Sequence, residues 1–346
     1  MKRPMGRWGD REIGRNSCVA PPPHRPIAPS RALSLVLVFL IFSAPAWAIS
    51  DNAGTANGNF LNLATDARGA ALGDSVVSMA EGADAVRWNP AALSGLQEKE
   101  VSATDVIYYQ GVNVGNIAAA YPLEESALAV DIFYLNPGTL DGRDVLGNPT
   151  GSFSFYDLVG SLSYGRKMLS RAEGADVSIG ATLKIVQETI AEQSFQNPAF
   201  DVGALVSPMD NLNIALDVRD LSMGKADFSR QIIGGASYTI FRVFTGAFAV
   251  NYANDAPLRA SFGGEYKIPQ LNAVVRAGYQ THDSLDSSID SKIPALRGAS
   301  LAGLTMGAGL DFKPAMFPTL KLGLDYAMAP FGALGISHTV TVKVKW

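Results

Sequence analysis

Past residue 48 the chain keeps two histidines, His282 and His338, and Ser337 stands directly before the second. A serine in contact with a histidine is the beginning of a nucleophile–base pair. These two open a run, Ile336 to Trp346, that alternates apolar and polar residues as a strand does, and strand neighbours point to opposite faces. His338 then shares a face with Val340, Val342, Val344 and Trp346, while Ser337 faces the other way with Thr339, Thr341, Lys343 and Lys345. His282 heads a polar loop, THDSLDSSID, whose Asp283, Asp286 and Asp290 match no EF-hand spacing. The glycines of GGEY (263–266) and GAGL (307–310) sit in strand-like runs, not in the strand-to-helix units that cradle phosphate. No catalytic constellation emerges, and we expect a non-enzyme without cofactor or metal.

The elements around these residues are strands. From about residue 99 onward the hydrophobic period is two, as in NLNIALDVRD (211–220), PLRASFGGEYK (257–267), LNAVVRAGYQ (271–280) and LKLGLDYAM (320–328). Fourteen such segments can be marked between residues 99 and 346, most near the nine to eleven residues of a tilted membrane strand. Short connections, often with proline, alternate with longer ones rich in Gly, Asn and Asp, such as 136–151, 219–230 and 281–300. That is the construction of an outer-membrane β-barrel. A soluble β-sandwich or propeller is the alternative packing, with the apolar face as its core. Tyr266, Tyr279, Tyr326 and Trp346 fall near strand ends, where aromatic girdles belong, and this favours the barrel. The fold expected is all-β, an up-and-down antiparallel transmembrane barrel of about fourteen strands.

Parity then assigns the charges. Arg219, Arg259, Glu265, Arg276, Lys321 and Asp325, with Lys267, Lys343 and Lys345, lie on the polar face and so inside the barrel. They read as a charge network that fills the lumen and holds a plug, or alternatively as the lining of a polar pore. A charged lumen opposes a continuous hydrophobic tunnel, so an apolar cargo would have to leave sideways through the wall.

The start of the chain has another character. Arg31 to Ala48 carries a basic flank, an apolar stretch and small residues at Ala46 and Ala48, the pattern of a secretory signal; the alternative is an N-terminal membrane anchor. Residues 1–48 are accordingly read as signal peptide with a long lead-in, and they contain the sole cysteine, Cys18. Seven of the 28 Lys and Arg and two of the 32 Asp and Glu lie before residue 49, leaving 21 against 30, a net charge of −9. That disfavours a nucleic-acid partner. Residues 49–98 do not alternate. They are rich in Ala and Gly, DSVVSMAEGADAV (74–86) reads as a short helix capped by Asp74 or Ser75, and Pro90 suits the first position of another helical turn. We expect a compact hatch inside the lumen of a barrel spanning 99–346; a periplasmic arm is the alternative. Asn89, Pro90 and Ala91 would anchor it, with Asn89 bonded to the wall and Pro90 fixing the turn.

FLNLATDARGAALGDSVVSMAEGADAVRWNPAAL (60–93) resembles the N-terminal signature of the PorV/PorQ family of outer-membrane proteins, itself related to the FadL long-chain fatty-acid transporters. The matching positions include Phe60-Leu61, Ala67-Arg68, Gly73 and Asn89-Pro90-Ala91, and at the other end Leu324-Asp325-Tyr326-Ala327, Ser337-His338 and the closing aromatic. The resemblance implies a fourteen-stranded barrel in the bacterial outer membrane with an N-terminal hatch. It implies passage of a hydrophobic small molecule, or else service to a protein secretion system of type IX-like kind with an exported protein as partner. Val342, Val344 and Trp346 resemble the terminal signal read by the barrel assembly machinery, a further expected partner beside outer-membrane lipid.

Overall fold

A computed structural model describes residues 56–108, 112–170, 174–191, 193–281, 303–331 and 335–346. The signal segment, Cys18, His282 and the acidic loop at 283–290 lie outside the described residues.

Alternation does what it predicts: each run lays its apolar residues on one face and its polar or small residues on the other. The strands are β1 Glu100–Ile107, β2 Asn113–Pro122, β3 Ser126–Asn136, β4 Thr139–Arg143, β5 Pro149–Leu169, β6 Asp176–Ile190, β7 Gln193–Met209 and β8 Leu212–Ser222. They continue as β9 Gln231–Ile240, β10 Phe244–Ala253, β11 Ala256–Ile268, β12 Ala273–Gln280, β13 Leu304–Phe312, β14 Lys321–Pro330 and β15 Ile336–Lys345. All but β4 form one antiparallel ring. It closes where β3 pairs with β5 and β1 with β15, giving a fourteen-stranded barrel. One pair beyond the last ladder rung, the Trp346 amide donates to the Lys99 carbonyl at 3.1 Å and the Lys99 amide returns the bond at 3.2 Å.

The ring carries its apolar face outward. Val130, Ile132, Leu183, Ile185, Leu216, Val275 and Leu324 are exposed, which in a membrane barrel is contact with lipid. This is the outer-membrane β-barrel fold, and by the architecture of such barrels the short-turn end faces the periplasm. At that end Tyr121, Tyr238, Phe244, Tyr266 and Trp346 are exposed as an aromatic girdle. Tyr326, expected near a strand end, instead stands mid-strand as the sixth residue of β14.

Two further expectations are corrected. The supposed loop at 136–151 contains β4, which pairs with the first residues of β5 and lengthens that hairpin beyond the ring. Both faces there are exposed, so no apolar alternation announces it. The helix expected over 74–86 is absent. Gly73 and Asp74 both take positive φ, 60° and 62°, ending the helix Ala67–Ala71, and turns follow until the single turn Ala85–Trp88. The reason is enclosure on every side: adjacent Val76 and Val77 are both buried but in different clusters, one with Leu72, Met79 and Trp88, the other with Ala215, Ile233 and Ala249. A segment buried all round needs no helical stripe.

Candidate functional site

Residues 56–98 lie within the ring, and their seat is built from glycines of the wall. Gly165, Gly180 and Gly203 are in register on β5, β6 and β7. A Cβ on Gly180 would collide with the Pro90 backbone, one on Gly165 with the Pro90 carbonyl and Leu93, and one on Gly203 with the Asn89 side chain. A second row, Gly263 and Gly278 on β11 and β12, meets Leu72, Gly73 and Ser75 in the same way. Beside it the Thr305 hydroxyl of β13 donates to the Ala71 carbonyl at 3.0 Å. Backbone thus lies directly on backbone at two places on the wall.

Asn89 is fully buried and uses both ends of its amide. Nδ2 donates to the Val77 carbonyl and to the Ala204 carbonyl of β7, each at 3.2 Å, while Oδ1 accepts from the Ala91 amide at 3.0 Å. That last bond caps the 3₁₀ turn Pro90–Gly95, with Pro90 at its first position.

The inward charges form a network. Arg68 of the N-terminal segment reaches Glu265 on β11 at 2.9 Å; Glu265 is shared with Arg276 on β12 at 2.8 Å, and Arg276 contacts Asp325 on β14 at 2.5 Å. Lys343 on β15 lies 3.8 Å from Asp325 and returns to the segment at Asp84, 2.8 Å away. Arg68 also touches Glu81 at 3.1 Å and donates to the Met79 carbonyl. Arg219 bonds Asp217 and the Trp88 carbonyl and lies 5.5 Å over the Trp88 ring. Lys321 pairs with Glu98 at 2.5 Å near the periplasmic mouth, both half-exposed. Removing one partner of a buried pair such as Arg68–Glu265 costs several kcal/mol, roughly 3–5.

Three further charges form a separate cluster. Lys184, Asp201 and Asp220 on β6, β7 and β8 form a buried triad at 2.7 and 2.8 Å, where the β7–β8 register shifts and Asp220 takes φ 58°. Asp84 and Glu100 join the inward charges as well, Glu100 pairing with Lys345 at 3.3 Å. Parity turns Glu100 and Lys184 inward, Glu100 beside the Lys345 that parity also places there, but nothing in the sequence pairs Lys184 with Asp201 and Asp220.

The lumen is not uniformly charged. Toward the outer end, Val106, Val114, Phe133, Leu135, Val159 and Val186 point inward and bury Phe60 and Leu61, with Phe60 stacked on Phe133 at 5.9 Å. Beside this cluster, above the N-terminal segment, is a cavity of about 510 Å³. Its lining mixes Leu63, Tyr108, Pro257 and Phe331 with Asp74, Arg259 and Gln280. Gln280 donates to Asp74 at 3.3 Å, and burial pushes the Asp74 carboxyl up to about 6 against the pull of Arg259. Among the described residues Arg259 has no ion-pair or hydrogen-bond partner. Gly73, whose φ of 60° favours glycine, forms part of the cavity floor against the Tyr279 backbone.

Ser337 is buried in the lumen and His338 is exposed outside, so the two do not meet. Among the described residues no group of three or more His, Cys, Asp or Glu side chains is placed to hold a metal. What the described residues do is hold the N-terminal segment and line the cavity above it.

No protein-family model matches the chain, and no curated protein matches it in sequence. Solved structures do match in fold. A FadL homologue of Pseudomonas aeruginosa superposes with a TM-score of 0.52 at 12% identity, over 82% of this chain and 98% of that one. The TodX deltaS2S3 mutant, a monoaromatic hydrocarbon channel, gives 0.54 at 13% identity over 81% and 97%. The Ralstonia pickettii toluene transporter TbuX gives 0.51 at 10% identity over 81% and 97%. At such identities the likeness is one of fold: a FadL-like, fourteen-stranded outer-membrane barrel.

Proposed function

We propose that this chain is a non-enzymatic channel of the bacterial outer membrane, of the PorV/PorQ type, that admits small hydrophobic molecules past a hatch. In this reading residues 1–48 are a signal peptide, 49–98 the hatch, and 99–346 the barrel. Asn89, Pro90 and Ala91 anchor the hatch, Phe60, Arg68 and Gly73 shape it, and Arg219, Glu265, Arg276, Lys321 and Asp325 hold it by charge. Val342, Val344 and Trp346 present the assembly signal.

The observation that carries the reading is the cavity of about 510 Å³ above the hatch, half apolar, beside the apolar cluster around Phe60. Its size suits a small ligand. Below it the charge network leaves no continuous apolar path, so an apolar molecule must displace hatch residues or leave through the wall. The test is native mass spectrometry of the protein gently extracted from its own outer membrane. A retained small apolar molecule, lost when Phe331→Asp makes the cavity polar, supports the channel. Equal retention by the variant counts against the cavity as its site.

A second reading, a component of a type IX-like secretion system handling exported proteins, draws on the β4–β5 hairpin. Its tip holds Val145 and Leu146 fully in solvent on a turn fixed by Asp144, which accepts from the Leu146 and Asn148 amides at 2.9 and 2.8 Å. A stoichiometric exported protein in the same spectra, released by Leu146→Asp, would favour that role.

A further inference from the structure

Away from the strand ends, the outward residues of the fourteen wall strands are mostly apolar, aromatic or small; besides Arg166 on β5 and the mutually hydrogen-bonded Gln187 and Gln196 on β6 and β7, two polar residues among the described residues break that rule. These are Asp105 on β1 and His338 on β15, both exposed. Each stands two residues inside the outer end of its strand, and Ile107 and Ile336, exposed and apolar, continue the lipid-facing band beyond them. A charged side chain on the lipid face costs roughly 2–4 kcal/mol at mid-depth, less near the interface, and its persistence asks for a partner.

The two residues are neighbours. Val340 pairs with Asp105 on one side and with Tyr326 on the other, and His338 lies diagonally outward of both. The Tyr326 hydroxyl lies 2.7 Å from His338 Nδ1, and the two rings stack at 6.1 Å. With the hydroxyl donating to Nδ1, the ring proton sits on Nε2, pointing away from the tyrosine. Among the described residues Asp105 has no hydrogen-bond or ion-pair partner. An oriented donor and an unpartnered acceptor therefore share one lipid-facing patch.

We propose that the β14–β15–β1 face is an interface within the membrane between two copies of this chain, with Asp105 of each copy accepting from His338 Nε2–H of the other. The occupant follows from self-complementarity. A twofold axis along the membrane normal reverses the lateral order of β1 and β15, so each copy's acceptor strand lies opposite the other's donor strand. No further group is needed to satisfy either residue. Ala103, just inside Asp105 on the same face, leaves room for the two walls to approach.

The test uses Val340→Cys, at the centre of the patch, in the full chain expressed in its own outer membrane; Cys18 lies before residue 49, so the unsubstituted chain is the control. Oxidation is expected to yield a disulfide-linked homodimer. Asp105→Asn or His338→Gln should each lower its yield about five-fold or more, the scale of one lost hydrogen bond. The exchange Asp105→His with His338→Asp should restore it, and heat-modifiable migration reports that each barrel has folded. Absence of the dimer overturns the proposal, as does a yield indifferent to both substitutions. Cross-linking to a different protein overturns it too, as does equal cross-linking of Leu216→Cys on the far wall.

Discussion

The side-chain amide of Asn89 has three destinations: a carbonyl in its own segment, a carbonyl of the wall, and the amide that starts the next turn. Asn89→Ala leaves those groups unpaired in a dry place, at about 1–3 kcal/mol for each buried group. We expect the barrel to assemble and the outer membrane to leak, read as increased sensitivity to large antibiotics and detergent; unchanged permeability with normal barrel levels would exclude the anchor role. Asp74 gives a pH dependence. Its folded-state pKa is raised, so its contribution is complete below about 4, the ordinary value, and is lost as pH climbs through about 6. Hydrogen exchange over residues 70–80, corrected for intrinsic rate, should show a tighter segment at pH 4.5 than at 7.5. Asp74→Asn should erase that difference. At this scale the sequence showed which charges face inward, because strand parity is unambiguous. It did not show Asp84 or the Lys184 triad, since a side-chain contact between separate segments of the chain leaves no local pattern.

The elements were legible where one face had to meet lipid and the other did not. All fourteen ring strands follow from that constraint, within a few residues at each end. β4 escaped because neither of its faces is buried, and the expected helix at 74–86 failed because its surroundings bury it from every direction. The glycine rows are a middle case. Gly165, Gly180 and Gly203 are plain in the sequence, but only the register of β5, β6 and β7 turns them into a shelf. Gly180→Val should therefore separate segment from wall. Its side chain meets the Pro90 backbone, which cannot swing aside as a side chain would, so the segment must shift. The expected result is a barrel still resistant to SDS without heating, in cells as permeable as those carrying Asn89→Ala. A variant with a normal permeability barrier would mean that the shelf yields.

For the whole molecule, closure is the governing fact: a barrel leaves no strand edge for another chain to pair with, and the last rung, Lys99 with Trp346, completes it. Removing Trp346 takes away that rung and an outward aromatic at the periplasmic girdle. We expect the truncated protein to reach the outer membrane at a small fraction of the normal level, measured by fractionation and heat-modifiable migration; wild-type levels would dismiss the terminal residue as a signal.

The N-terminal segment touches early and late parts of the ring alike, β5 to β7 through Pro90 and β11 to β15 through Leu72, Arg68 and Asp84. It also runs straight into β1, the strand that joins the last one. Its final seat does not exist until the late strands have arrived, and the space around it is shut once β1 meets β15. The order of events is thereby constrained: the segment has to be drawn in while the wall is still an open sheet, and sealing the ring fixes whatever position it has reached. A slow or misplaced segment would then be a fault of biogenesis that later equilibration cannot repair.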